Sequence, residues 1–279
     1  STTFEYAAFA EDELRMESSA CTDSFDSSLP DDYGVNGNIG SSGDIGTNST
    51  SNEAVRLEDS AIVNGDGNVG ESGNPASVIT LEGSAQITGS QTALTSSYSI
   101  PSISSPTGLA DNGELLLVGN DSYTISSSGE YSTIRMESSS VLTITGNTTV
   151  YVTGELRLEN SSQLIIVDGA DVKIYSDSAI KFENSALVNN VSKDPSKLSL
   201  FGTDSMSGDN IRFEDSSAVY ATVQARNAYV KMENSSAVYG AVMAERIRLE
   251  DSSCIHYDTS LSSGGSSGSN ATVALWQEK

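Results

Sequence analysis

The 279-residue sequence predicts an all-β chain wound as a parallel β-solenoid, taken as right-handed, of about nine short rungs. Three observations lead there. The first is a recurring phrase that reads basic, apolar, Glu, x, Ser, Ser or Ala. It appears at Arg15-Met16-Glu17, Arg56-Leu57-Glu58, Arg135-Met136-Glu137, Arg157-Leu158-Glu159, Lys181-Phe182-Glu183, Arg212-Phe213-Glu214, Lys231-Met232-Glu233 and Arg248-Leu249-Glu250, with a weaker copy at Thr80-Leu81-Glu82. The second is the period within the phrase. Side chains alternate across a strand, so Arg248 and Glu250 share one face while Leu249 points to the other. The apolar residues do not recur three and four apart, as a helix requires. The third is the spacing. The last copies begin at 212, 231 and 248, giving units of 19 and 17 residues. That length holds two or three short strands and tight corners but no crossover helix. Such a unit buries its apolar side only by stacking on its neighbours, about 4.8 Å apart.

Along the chain, Phe4, Tyr6 and Phe9 form an aromatic lead-in that caps the first rung. Residues 1–89 read as this cap and the early rungs, interrupted from Tyr33 to Thr50 by a Gly/Asn-rich stretch read as a loop or as irregular short rungs. Residues 90–113, with Pro101 and Pro106, read as an exposed connector. The main stack follows over 114–261, with Gly146 and Gly154 at corners and an excursion near Ser192 to Ser196. Short strands such as Ala218–Val223 and Ala237–Val242 lie between the phrases. Residues 262–279 read as a flexible Gly/Ser stretch and a terminal strand around Val273 to Trp276.

Net charge −24 argues against nucleic acid and against anionic membrane surfaces, both of which need basic patches. No stretch is long and apolar enough to cross a bilayer as a helix. The charge itself suits a rod that must not adhere to its own kind.

Stacking would align the phrases into two columns: the cations Arg15, Arg56, Arg135, Arg157, Lys181, Arg212, Lys231 and Arg248, and the acids Glu17, Glu58, Glu137, Glu159, Glu183, Glu214, Glu233 and Glu250. A single like-charged column repels itself, whereas adjacent columns of opposite sign relieve one another. The expected result is an ion-pair ladder on one outer face. The same stripe also suits docking of a partner, or Ca2+ held on the acid columns, although no loop gathers the usual cage of oxygens. No other cofactor is expected.

Cys21 and Cys254 are the only cysteines, and both follow their phrase at the same offset. They are either two small packed thiols or a disulfide. A disulfide needs Cα atoms roughly 4.4–6.8 Å apart. That distance arises if rods stack head to tail, or if the connector returns along the rod so that the early rungs sit beyond the rung at Arg248.

An enzyme is not expected. His256 is the single histidine, no strained nucleophile elbow accompanies it, and zinc sites need more Cys and His. Paired carboxylates hydrolyse glycosides, but among these regularly spaced acids no pair stands apart.

The order of several segments resembles another group of proteins. These are Ala8-Phe9-Ala10, Asp23-Ser24-Phe25-Asp26-Ser27, Leu142-Thr143-Ile144-Thr145-Gly146, Val150-Tyr151-Val152-Thr153-Gly154 and Val238-Tyr239-Gly240-Ala241-Val242, then Ile255-His256-Tyr257-Asp258 with Leu261, and Leu275-Trp276-Gln277-Glu278. Together they resemble the C-terminal β-solenoid domain of PilX-type, type IV pilus-assembly-associated bacterial surface proteins, which are similar to minor pilins. The charged phrase departs from that pattern, and the N-terminal pilin helix is not present in this sequence. The resemblance implies an extracellular or surface-displayed structural subunit whose partner is itself or a pilin-like protein. A carbohydrate-binding or carbohydrate-cleaving β-helix, or an adhesin for surface glycans, is the alternative.

Overall fold

The computed structural model describes residues 3–262. The strands form one continuous parallel stack with three faces. Corresponding strands on the first face include Glu114–Leu117, Thr133–Met136, Glu155–Leu158 and Ala179–Phe182. The second face begins with Ser122–Ile125 and Val141–Ile144, and the third with Gly129–Tyr131 and Thr148–Val152. The phrases stack in one register: Leu116, Arg135, Arg157, Lys181, Arg212, Lys231, Arg248, Arg15, Arg56, Thr80. The solenoid therefore has ten rungs, one more than the phrase count suggests, because Glu114–Leu117 forms a first rung without the charges.

The apolar member of each phrase points inward. Met136, Leu158, Phe182, Phe213, Met232, Leu249, Met16 and Leu57 occupy one column and are fully buried. Phe182 and Phe213 stack in it with ring centroids 5.3 Å apart. Burying each such side chain stabilises the stack by about 1.5–3 kcal/mol.

The strand reading of the phrase holds only to its apolar residue. In seven of the nine copies the Glu opens a tight turn whose two central residues both have positive φ, as at Asn160 (53°) and Ser161 (61°) or Asp251 (49°) and Ser252 (63°); after Glu58 and Glu82 only the first, Asp59 and Gly83, does. Two consecutive left-handed residues make this a type I′ turn, which small polar residues tolerate best. The Glu carbonyl accepts the amide of the fourth residue, as from Ser162 to Glu159 at 3.2 Å. That fourth residue turns inward, so only Ser or Ala fits: Ala20, Ala61, Ser140, Ser162, Ala186 and Ser253 are fully buried.

The rungs do not follow chain order. The seventh takes its first two faces from residues 246–249 and Cys254–Asp258, and its third from residues 8–10 at the other end of the chain. The rest of the N-terminal region stacks above it: Cys21–Phe25 pairs with Cys254–Asp258, and Val55–Leu57 with residues 14–16. The early rungs thus stack beyond the rung at Arg248 in a single rod, one of the two arrangements left open by the sequence. The expected start of the connector is corrected, because Gln91–Ala93 completes the tenth rung and the connector begins at 94. Most of the Gly/Asn-rich stretch falls in an insertion, residues 26–44, and Ile45–Thr47, also within the stretch, is a regular third-face strand. The reading of a flexible stretch and terminal strand beyond 262 lies outside the described residues, as does Trp276.

The connector runs back down the third face as a strap. Asn48 brackets the Tyr98 backbone with hydrogen bonds of 2.7 and 2.9 Å, and the Tyr98 ring lies 4.5 Å from Phe9. Lower down, Gln224 donates to the Pro101 carbonyl, Asp204 accepts from Ser102 and Ile103, and Asp177 accepts from Ser105. At the bottom the backbone of 110–112 exchanges hydrogen bonds of 2.8 Å with Glu130.

Candidate functional site

Two features stand out from the repeat: the charged ladder, and the splice where the chain ends meet within it. In the ladder each cation tends to hold its own Glu and the Glu one rung above. Arg135 reaches Glu137 at 2.7 Å and Glu159 at 3.6 Å; Arg157 reaches Glu159 at 2.7 Å and Glu183 at 2.9 Å. Lys231 holds Glu233 and, at 3.9 Å, Glu250; Arg56 holds Glu58 and, at 3.1 Å, Glu82. Arg212 pairs with Asp209 and with Glu214 at 3.4 Å. Two members depart from the expected pairing. Lys181 turns down to Glu155 at 3.0 Å, and Arg15 takes Glu13 at 2.8 Å, because each finds a carboxylate two residues before a phrase cation.

At the splice, Arg248 holds Glu250 and crosses to Glu17 at 2.7 Å, over 231 residues of sequence. Three carboxyls, Glu233, Glu250 and Glu17, occupy successive rungs there. Burial, followed by hydrogen bonds shared with Glu233 and Glu17, pushes the Glu250 carboxyl up to about 7. Burial alone would raise Glu17 and Glu233 too. Hydrogen bonds from Arg248 and Lys231 respectively, and from Glu250, hold both below the usual range instead. Of the three carboxyls, Glu250 is therefore the one that takes up a proton first as pH falls.

Cys21 and Cys254 are joined by a disulfide with Cα atoms 4.6 Å apart, within one chain. Of the two geometries open to the sequence, the closed monomer takes the return of the connector along the rod. Next to the disulfide, His256 Nδ1 lies 2.6 Å from Asp23, whose other oxygen accepts from Tyr33 at 2.5 Å. His256 is buried and stacked between Tyr239 (4.7 Å) and Tyr33 (3.9 Å), and Tyr239 in turn stacks on Tyr220 at 4.3 Å. Asp258 accepts from the Ser27 amide and hydroxyl, and the Tyr257 hydroxyl donates to the Phe4 carbonyl.

Two insertions absent from the repeat, 26–44 and 189–197, leave the rod at the same corner of different rungs. They meet through the ion pair of Lys193 with Asp32, beside a cleft of ≈ 130 Å³ lined by Phe25, Ser27, Tyr33, Ser192 and Tyr220. A wider polar cleft of ≈ 400 Å³ lies under the strap, between Glu11, Asp12, Asn48, Arg226 and Glu245. The contact between the insertions was not legible beforehand, because its members are 161 residues apart. Among the described residues no group of three or more His, Cys, Asp or Glu side chains is placed to hold a metal ion.

The family described as a domain of unknown function (DUF7305) matches residues 103–263, more than half of the chain. No curated protein matches. Among solved structures, an ice-binding protein from an Antarctic ascomycete, Antarctomyces psychrotrophicus, is 13% identical, with 91% of this chain and 95% of that chain covered at a TM-score of 0.39.

Proposed function

The chain belongs to the family described as a domain of unknown function (DUF7305), and we propose that it is a non-enzymatic structural rod: a subunit of an extracellular filament or pilus-associated surface assembly that joins its neighbours through its ends. The observation that carries this reading is the pair of open sheet edges. Ile79–Leu81, Gln86–Ile87 and Gln91–Ala93 have a partner strand on one side only, as do Glu114–Leu117 and Ser122–Ile125 at the other end. Unpaired parallel edges template further strands. Here they expose apolar side chains beside the charged Glu114: Leu81 is 39% exposed, Leu116 51% and Tyr123 45%. The ladder ends at the same places, with Thr80 and Leu116 standing where the inner rungs have cations. A disulfide suits an exported protein. The resemblance to PilX-type proteins adds a pilin-like subunit as the second occupant of these ends.

Electron micrographs and sedimentation over a concentration series test this. Filaments one rod wide, suppressed by Leu81→Lys or Ile87→Lys, are the expected result. A monodisperse rod at every concentration, with no affinity for a pilin-like subunit, would overturn it.

A second reading has its own observation. Loops inserted into a solenoid often form its binding face, and the cleft between the two insertions offers the Tyr220, Tyr33 and Phe25 rings beside hydroxyl, carboxylate and ammonium groups. That mixture suits one sugar unit of a surface glycan. Saccharide-dependent thermal stabilisation that is lost in Tyr220→Ala would support it, and no stabilisation by a panel of neutral, amino and acidic sugars would end it.

A further inference from the structure

The order of the rungs contains a second solution. Every other rung passes from its third face directly to the first face of the next, as from Thr148–Val152 to Glu155–Leu158. Residue 93 ends the third face of the tenth rung, and residue 114 begins a first-face strand, so the next strand in sequence would stack directly above. In the closed rod it lies nine rungs below. The strap makes this possible: its 20 residues, 94–113, reach roughly 66 Å when extended, against about 43 Å for nine rung spacings. The two open edges of the rod, 79–93 and 114–125, are therefore the edges that sequence order would join.

We infer that the chain has a domain-swapped arrangement in which residues 8–93 of one copy dock on residues 241–258 of another. Each chain then winds as an uninterrupted solenoid in sequence order, and successive copies continue it. The occupant of the splice is a second copy of this chain. The inference rests on the reading of the rod as a self-assembling scaffold and says how the joints are made. At the splice itself no new contact is needed. Cys21 with Cys254, Glu17 with Arg248 and Asp23 with His256 meet in both forms, within one chain or between two.

The forms differ at two places. Swapping releases the strap from Asn48, Asp204, Asp177 and Glu130. It gains the pairing of 79–93 with 114–131. Closed rods placed end to end do not reach that pairing in full, because 110–112 already lies against Gly129–Tyr131 and fills the third face of the lower edge. In a swapped chain residues 91–93 lie next to this edge in sequence order and reach the pairing by displacing 110–112 from Gly129–Tyr131. A tether of this kind gives the chain's own N-terminal rungs an effective concentration on the order of millimolar. The closed monomer thus prevails in dilute solution and the swap prevails where copies are crowded during folding. Oxidation then fixes whichever form is present. Two thiols give up two protons and two electrons to an oxidant such as glutathione disulfide, which leaves as two glutathione thiols.

The test uses two full-length variants, Cys21→Ser and Cys254→Ser, unfolded, mixed and refolded together with oxidised glutathione over a range of protein concentrations. Neither can close its own disulfide. In a swapped pair, Cys254 of the first variant meets Cys21 of the second. The expected result on a non-reducing gel is a covalent dimer that grows with concentration and exceeds by at least several-fold the dimer formed by either variant alone. Wild-type chain refolded in the same way gives a ladder of disulfide-linked multimers, which keeps the test independent of how well the variants fold. Dimer no more abundant than in the single-variant controls, with wild type closing on itself at every concentration, overturns the swap. Filaments whose chains separate without reduction would overturn it as well, while leaving end-to-end assembly of closed rods intact.

Discussion

At Glu250 the ladder meets its own excess of acid. Its carboxyl titrates at about 7, above the ordinary 4.5, so the stability it contributes is present in full below 4.5 and is lost as pH rises through 7. Glu17 and Glu233 are shifted down, and their contributions run the other way, present at neutral pH and lost in acid. Glu250→Gln keeps the shared hydrogen without the charge. Melting temperatures should rise relative to wild type at pH 8 and converge with it near pH 4.5; an equal offset at both would show that the carboxyl does not titrate in this range. The inward corner serines give a second prediction. The hydroxyls of Ser162 and Ser217 are buried and meet no hydrogen-bond partner among the described residues. Ser162→Ala and Ser217→Ala should therefore leave stability unchanged or raise it by up to about 1 kcal/mol, as read by chemical denaturation. Ser161→Val places a β-branched residue at φ 61° and should instead destabilise by about 1–2 kcal/mol.

The strands and the ion-pair ladder were legible because alternation and repetition are local properties. Leu158 had to point inward if Arg157 and Glu159 pointed out. The type I′ turn was hidden because Asn-Ser, Asp-Ser and Ser-Ser lack the glycine that usually marks positive φ. The strap was legible as a connector from Pro101 and Pro106, but not its course, since each anchor is a contact far away in sequence, such as Ser105 with Asp177. The Tyr98 ring, packed on Phe9 and Tyr6, and the buried Ile100 are its apolar anchors. Tyr98→Ala should cost about 3 kcal/mol and speed proteolysis within 94–113. Unchanged cleavage would mean that the strap is held elsewhere.

For the whole molecule, the sequence left the arrangement of early and late rungs open, because either order satisfies the same phrase-to-phrase stacking. What distinguishes them is the length of the strap and the chemistry of the splice. The disulfide closes a loop with a separation of 233 residues, for which chain entropy alone implies about 5 kcal/mol. Reduction should lower the denaturation midpoint substantially while the circular dichroism of the parallel sheet persists, because Arg248, Asp23 and Asp258 still bind across the junction. The order of rungs is tested most directly by one distance. Spin labels at Thr80→Cys and Leu116→Cys, in dilute disulfide-closed monomer, occupy the same face of the tenth and first rungs. Pulsed electron paramagnetic resonance should return a separation of about 43 Å, nine rung spacings; a separation of about one rung, 5 Å, would show that the closed rod follows sequence order and contradict the account.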